Sequence, residues 1–91
     1  MGNEREGWHR FLTLCLKAKD CEALDALMGA LLTPTERTEI AYRTLIFREL
    51  LQGKLSQRAI AETLPVSIAK VTRGSNMLKV LNLEVKSHLA S

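Results

Sequence analysis

Residues 56–79, SQRAIAETLPVSIAKVTRGSNMLK, decide the reading of this chain. Ser56 is a capping residue ahead of a helical run from Gln57 to Leu64. Pro65-Val66 interrupts that run, and Ser67 caps a second one from Ile68 to about Lys79. Helical residues advance by about 100° each, which places Val71, Gly74 and Leu78 on one side of the second helix, with Ser67 beside them. Ala69, Thr72, Arg73 and Asn76 fall on the opposite side, flanked by Lys70. The inward set meets Ile60, Ala61 and Leu64 of the first helix, where the small Ala61 permits a close crossing.

Two short helices with a tight turn and an outward row of polar and basic side chains make up a helix-turn-helix, the unit that lays a recognition helix in the major groove. The outward set offers a methyl, a hydroxyl, an amide and cations, the types that read base edges and hold phosphate. Gln57 and Arg58 open the first helix, where side chains and free backbone N–H groups can meet a phosphate. Gln57, Ala61, Val66, Ser67 and Val71 fall at the generic positions of the motif. Pro65 stands where that motif usually holds a glycine of positive φ. A structural helix pair whose polar face meets only water would show the same spacing.

The rest of the chain predicts an all-α fold of six helices in a single domain covering residues 1–91. Hydrophobic residues make up 46% but aromatics only 4%, so the core is Leu, Ala, Ile and Val, which suits helices better than a sandwich. Asn3 and Glu6 form a capping pair ahead of Trp8, Phe11, Leu12, Cys15 and Ala18, and residues 11–16 are apolar almost all round. In so short a chain, a second copy is the simplest cover for such a helix, and Cys15 within it reads as a small buried hydrophobe. A second helix runs from about Glu22 to Leu31. Thr33-Pro34-Thr35-Glu36 then supplies a cap, a first-turn proline and a capping-box glutamate to a long helix that ends at Gln52 before Gly53. Arg43 interrupts its apolar middle, where Ile40, Ile46, Phe47, Leu50 and Leu51 make the stripe. Asn82 caps a short last helix with Val85 and Leu89. Residues 3–53 would form a dimerisation core, 56–79 the reading head and 80–91 the C-terminal helix.

Net charge is +3, and its placement is uneven. Residues 54–91 carry six bases (Lys54, Arg58, Lys70, Arg73, Lys79, Lys86) against Glu62 and Glu84, a local charge of +4 over the segment expected to face phosphate. Cys15 and Cys21 have neither metal-ligand nor redox spacing, and no metal is expected. His9 and His88 stand alone near the termini and the serines lie at caps, so no catalytic constellation is expected and the chain does not read as an enzyme. The charged MGNEREGW start and the lack of a long apolar run lead us to expect a cytoplasmic protein with no membrane partner.

From Trp8 to about Lys79 the sequence resembles the bacterial Trp repressor family, most closely in LLTPTER (31–37), ELLQGKLSQR (49–58) and VTRGSNMLK (71–79). The resemblance implies an intertwined, all-helical homodimer that binds L-tryptophan as corepressor and needs no other cofactor. Such a repressor blocks transcription of tryptophan biosynthesis or uptake genes at an operator DNA. In helix-turn-helix dimers, the Trp repressor among them, the two recognition helices enter major grooves about 34 Å apart. By resemblance, Arg43 and Arg73 are the guanidinium groups that sandwich the indole, and Arg73 also takes the ligand carboxylate. Ala30, Leu32 and Thr33 match the partner segment that holds the ligand's polar end, and Gly74 matches the small position against the indole. Arg58 matches a side chain that reaches a guanine, while Gln57, Ala69, Lys70, Thr72, Asn76 and Lys79 match DNA-facing positions. The sequence departs from the family at Met77, where a serine hydroxyl meets the ligand's amino group, at Lys70 for a threonine, and at Pro65 for the turn glycine. Two other readings are a DNA-binding regulator of the same fold that ignores tryptophan and a helical protein–protein interaction module.

Overall fold

The computed structural model describes residues 2–91 and is helical throughout, with no strand among the described residues. Its six helices are α1 (Glu4–Lys17), α2 (Cys21–Leu31), α3 (Pro34–Gln52), α4 (Gln57–Thr63), α5 (Ile68–Leu78) and α6 (Leu83–Ala90). The chain divides into two compact units, Met1–Arg37 and Thr38–Ser91, and the dividing line falls inside α3.

Local capping chemistry sets the helix starts. Asn3 Oδ1 accepts from the Glu6 N–H at 2.9 Å and opens α1. Asp20 Oδ1 accepts from the Ala23 N–H at 2.8 Å, so α2 begins at Cys21, slightly before the expected start at Glu22. At α3 both halves of the capping box form. The Glu36 N–H donates to Thr33 Oγ1 at 3.1 Å, and the Thr33 N–H donates to Glu36 Oε1 at 2.8 Å. Glu36 titrates below the ordinary carboxylate value because the Thr33 N–H, and then the Thr33 side chain, favour its charged form.

In the first unit, no residue of α1 or α2 is buried. Leu16 is 87% exposed and Trp8 59% exposed, with the Trp8 and Phe11 rings stacked at 5.2 Å between centroids. Cys15 is half-buried within the single chain. A helix that is apolar nearly all round needs a packing layer on more than one side, and a single chain leaves α1 without one.

The second unit holds the core. Ile46 of α3, Ile60 and Ala61 of α4 and Val71 of α5 are buried against one another, with Leu50, Leu64 and Val66 packed around them. Ile60 and Val71 have no exposed surface, and each such aliphatic side chain contributes about 1.5–3 kcal/mol by leaving water. Gly74 is what lets α5 come so close to α3. A Cβ at that position would stand 2.9 Å from Ile46 Cγ2.

Two backbone features shape the route into and through the α4–α5 pair. Gly53 ends α3 with φ +69°, the left-handed conformation expected there. The turn between α4 and α5 does without such a residue, since no non-glycine residue among those described has positive φ. Leu64 stays right-handed at the α4 C-cap, and the Val66 N–H reaches back across Pro65 to the Ala61 carbonyl at 2.9 Å. Pro65, which has no N–H to satisfy, fits that bypass. Ser56 and Ser67 then cap α4 and α5 through the Ala59 and Lys70 N–H groups, at 3.1 and 3.2 Å.

Candidate functional site

A cleft of about 200 Å³ lies between α3 and α5, wholly within the second unit. Both walls repeat one helical interval. On α3 the lining positions are Glu39, Tyr42, Arg43, Ile46 and Phe47, and on α5 they are Lys70, Arg73, Gly74 and Met77. Residues three and four apart share a helix face, so each wall is a single stripe. Ile46, Phe47 and Gly74 are buried and form the apolar floor. Arg43, Arg73, Lys70 and Met77 are exposed around them, and Met77 keeps 44% of its surface.

The cleft carries three cations and one carboxylate. Lys70 Nζ donates to Glu39 Oε1 at 2.7 Å and ties the first turn of α5 to α3. This hydrogen bond, then the Lys70 charge and to a smaller extent that of Arg43, holds Glu39 below the ordinary carboxylate range against a small opposing effect of burial. An apolar floor beside planar guanidinium groups suits a flat ring, and cations above it suit a carboxylate. The volume is below the roughly 300–1,000 Å³ of sites for drug-sized molecules and matches a smaller ligand.

The outward face of α5 continues into α4. Thr72 Oγ1 donates to Gln57 Oε1 at 3.0 Å, which joins the two helices across the turn. Lys79 Nζ donates to Asn76 Oδ1 at 3.3 Å along the same face. Arg58, Ala69, Thr72, Arg73 and Asn76 are all exposed, as a surface meant for another molecule requires.

Of the residues singled out by sequence, Arg43, Arg73, Gly74 and Met77 come together in the cleft, and Lys70 also lines it. Ala30, Leu32 and Thr33 belong to the first unit, at the end of α2 and the start of α3. Glu39 and Tyr42 were not foreseen. Counting back four residues along α3 from Arg43 and from Ile46 would have found them, because Glu39, Tyr42, Arg43 and Ile46 lie three or four residues apart on one stripe.

Among the described residues, no group of His, Cys, Asp or Glu could hold a metal ion. None of the described helices is long and apolar enough to cross a membrane.

Comparison with known proteins shows the family. Residues 6–91 match the family model for the Trp repressor protein. A Trp operon repressor homolog of Chlamydia trachomatis serovar D is 48% identical over 86 residues, spanning 94% of this chain and 92% of its own. A protein of the same description from Chlamydia caviae is 44% identical over 87 residues, spanning 96% and 86%. Another from Vibrio cholerae serotype O1 is 45% identical over 83 residues, spanning 91% and 81%. With the match running over nearly the whole chain, the protein belongs to the Trp repressor family, whose members are DNA-binding transcriptional regulators and not enzymes.

Proposed function

We propose that this protein is a tryptophan-responsive repressor, with the α3–α5 cleft as its corepressor site and the outward face of α4 and α5 as its DNA reader. One observation carries the proposal. Arg43 and Arg73 stand on the two walls of a cleft with an apolar floor, and the α5 wall is also the proposed recognition helix. A ligand bound there would act on the element that meets DNA. The indole would lie on Ile46, Phe47 and Gly74 between the guanidinium groups, and Arg73 would take the carboxylate. Ala30, Leu32 and Thr33 would come from a second subunit. The large exposed apolar residues Trp8, Leu12, Leu16, Leu24 and Leu31 support such a homodimer. Gln57, Arg58, Ala69, Thr72, Asn76 and Lys79 would face the operator, and Lys70, expected among them from sequence, would stand beside them with its ammonium turned to Glu39 on the cleft side. The genes controlled would be those of tryptophan biosynthesis or uptake, in the bacterial cytoplasm.

The test is calorimetry with L-tryptophan beside a gel shift on operator-length DNA, on the wild type and on Arg73→Ala. The wild type gives binding heat and a tryptophan-dependent shift. The variant weakens both by tenfold or more, the equivalent of about 1.4 kcal/mol. Undiminished ligand heat and DNA shift in Arg73→Ala would refute the proposal.

Met77 favours one second reading, a DNA-binding regulator of this fold that ignores tryptophan. Its thioether is a weak acceptor on the cleft wall and offers no hydroxyl to an amino group. DNA binding without any heat at millimolar L-tryptophan would establish that alternative.

A further inference from the structure

We propose that Glu39 is a positioning residue for the DNA interface: by holding Lys70 on the cleft side of α5, it withholds one cation from the DNA phosphates. This rests on the DNA-binding reading of α5. Lys70 sits in the first turn of that helix, next to the outward-facing Ala69 and Thr72, and its four-carbon stem could swing its ammonium to either side. Its ammonium is committed to a residue 31 positions earlier in the chain, with Nζ 2.7 Å from Glu39 Oε1. The other cations of α5 and its C-cap, Arg73 and Lys79, have no such restraint. No ion pair joins Arg73 to a carboxylate among the described residues, and Lys79 meets only the neutral Asn76 amide.

The pair is exposed on both sides, with side-chain exposures of 49% for Lys70 and 41% for Glu39. Exposed pairs of this kind contribute little to stability. What the pair does set is where a mobile charge stands. Each phosphate neutralised by a protein cation adds about 0.9 to the steepness with which duplex binding falls with salt. Removing one such contact therefore lowers the electrostatic, sequence-independent part of DNA affinity. Glu39 thus restrains binding to arbitrary DNA, and sequence contacts elsewhere on the face weigh more.

The experiment is a salt titration of binding to a random-sequence duplex by the full chain in four forms: wild type, Glu39→Gln, Lys70→Gln and the double variant. Urea midpoints are measured alongside and are expected to be unchanged. Glu39→Gln should bind roughly fivefold to tenfold more tightly near 0.1 M salt, with a log–log salt slope steeper by about 0.9. Lys70→Gln alone should change affinity by less than about twofold, since its cation is already withheld. In the double variant the gain should vanish. That last arm separates release of Lys70 from the simple loss of a carboxylate near DNA, which would raise affinity whether or not Lys70 is present.

Three results would overturn the inference: Glu39→Gln with the wild-type slope, a gain that survives whole in the double variant, or a slope flattened by about 0.9 in Lys70→Gln alone. If none of the four forms binds DNA at any salt, the DNA-binding reading itself falls and takes the inference with it.

Discussion

Replacing Gly74 by alanine sets two effects of known sign against each other. A glycine inside a helix costs about 1 kcal/mol relative to alanine, so intrinsic propensity predicts a stabilised α5. Packing predicts the reverse. The new Cβ would lie 2.9 Å from Ile46 Cγ2 and 3.4 Å from Leu50 Cδ1, whereas carbon atoms in contact prefer about 3.5–4.0 Å. Ile46 is 3% exposed, and its Cγ2 hangs directly on a β-branched centre with one preferred rotamer in a helix. That methyl cannot swing aside, so α5 must move outward by some tenths of an ångström. Overpacking of this kind costs about 1–3 kcal/mol, which leaves a net loss of up to about 2 kcal/mol once propensity is subtracted. The assay is urea denaturation followed by circular dichroism at fixed protein concentration, with a lower midpoint expected and an unchanged slope. Gly7→Ala is the internal control, since a Cβ there meets nothing within 4 Å. It should show the propensity gain alone. A Gly74→Ala protein that is stabilised as much as Gly7→Ala would refute the packing argument.

Gly53 works through its own backbone, because it has φ +69° and a Cβ there would meet nothing within 4 Å. Gly53→Ala should therefore cost about 1 kcal/mol through the left-handed conformation alone, with Gly53→Asn milder, as read from urea midpoints. The Thr33–Glu36 capping box should make part of the stability pH-dependent. Glu36 is held below its ordinary value of 4.5 in the folded chain, so its contribution is present above that value and is lost as pH falls through the lower folded one. Glu36→Ala should unfold at lower urea than the wild type at pH 7. The gap should close on acidification below pH 4.5, and a gap that stays constant to pH 2 would contradict this account.

The parts of this fold that were legible in the sequence are those decided within a few residues. Asn3, Thr33, Ser56, Ser67 and Asn82 each cap a helix by accepting an N–H three residues on, a contact that needs no tertiary information. Gly53 as a helix stop and the buried Ile60–Val71 pairing followed from the same short-range logic, the second through helical spacing. Asp20 obeys the capping rule equally, accepting the Ala23 N–H, although the sequence reading begins that helix only at about Glu22. What stayed hidden was contact across the chain. Nothing local ties Glu39 to Lys70 over 31 residues, and taken singly each reads as a solvated charge. The Pro65 turn shows the opposite case, a local rule that tertiary context relaxed. The motif's glycine supplies positive φ, yet here a reach-back from Val66 to the Ala61 carbonyl closes α4 without it. The cleft combines both kinds of information. Arg43 stood out as a cation on an apolar stretch and Arg73 as one on the polar face of α5, but only the crossing of α3 and α5 turned the two helix faces into facing walls. Gly74 decides how near those walls come, and it lies one residue from Arg73. The spacing of the proposed ligand site and the placement of the proposed reading helix are therefore one mechanical variable, so a side chain added at Gly74 should change both together.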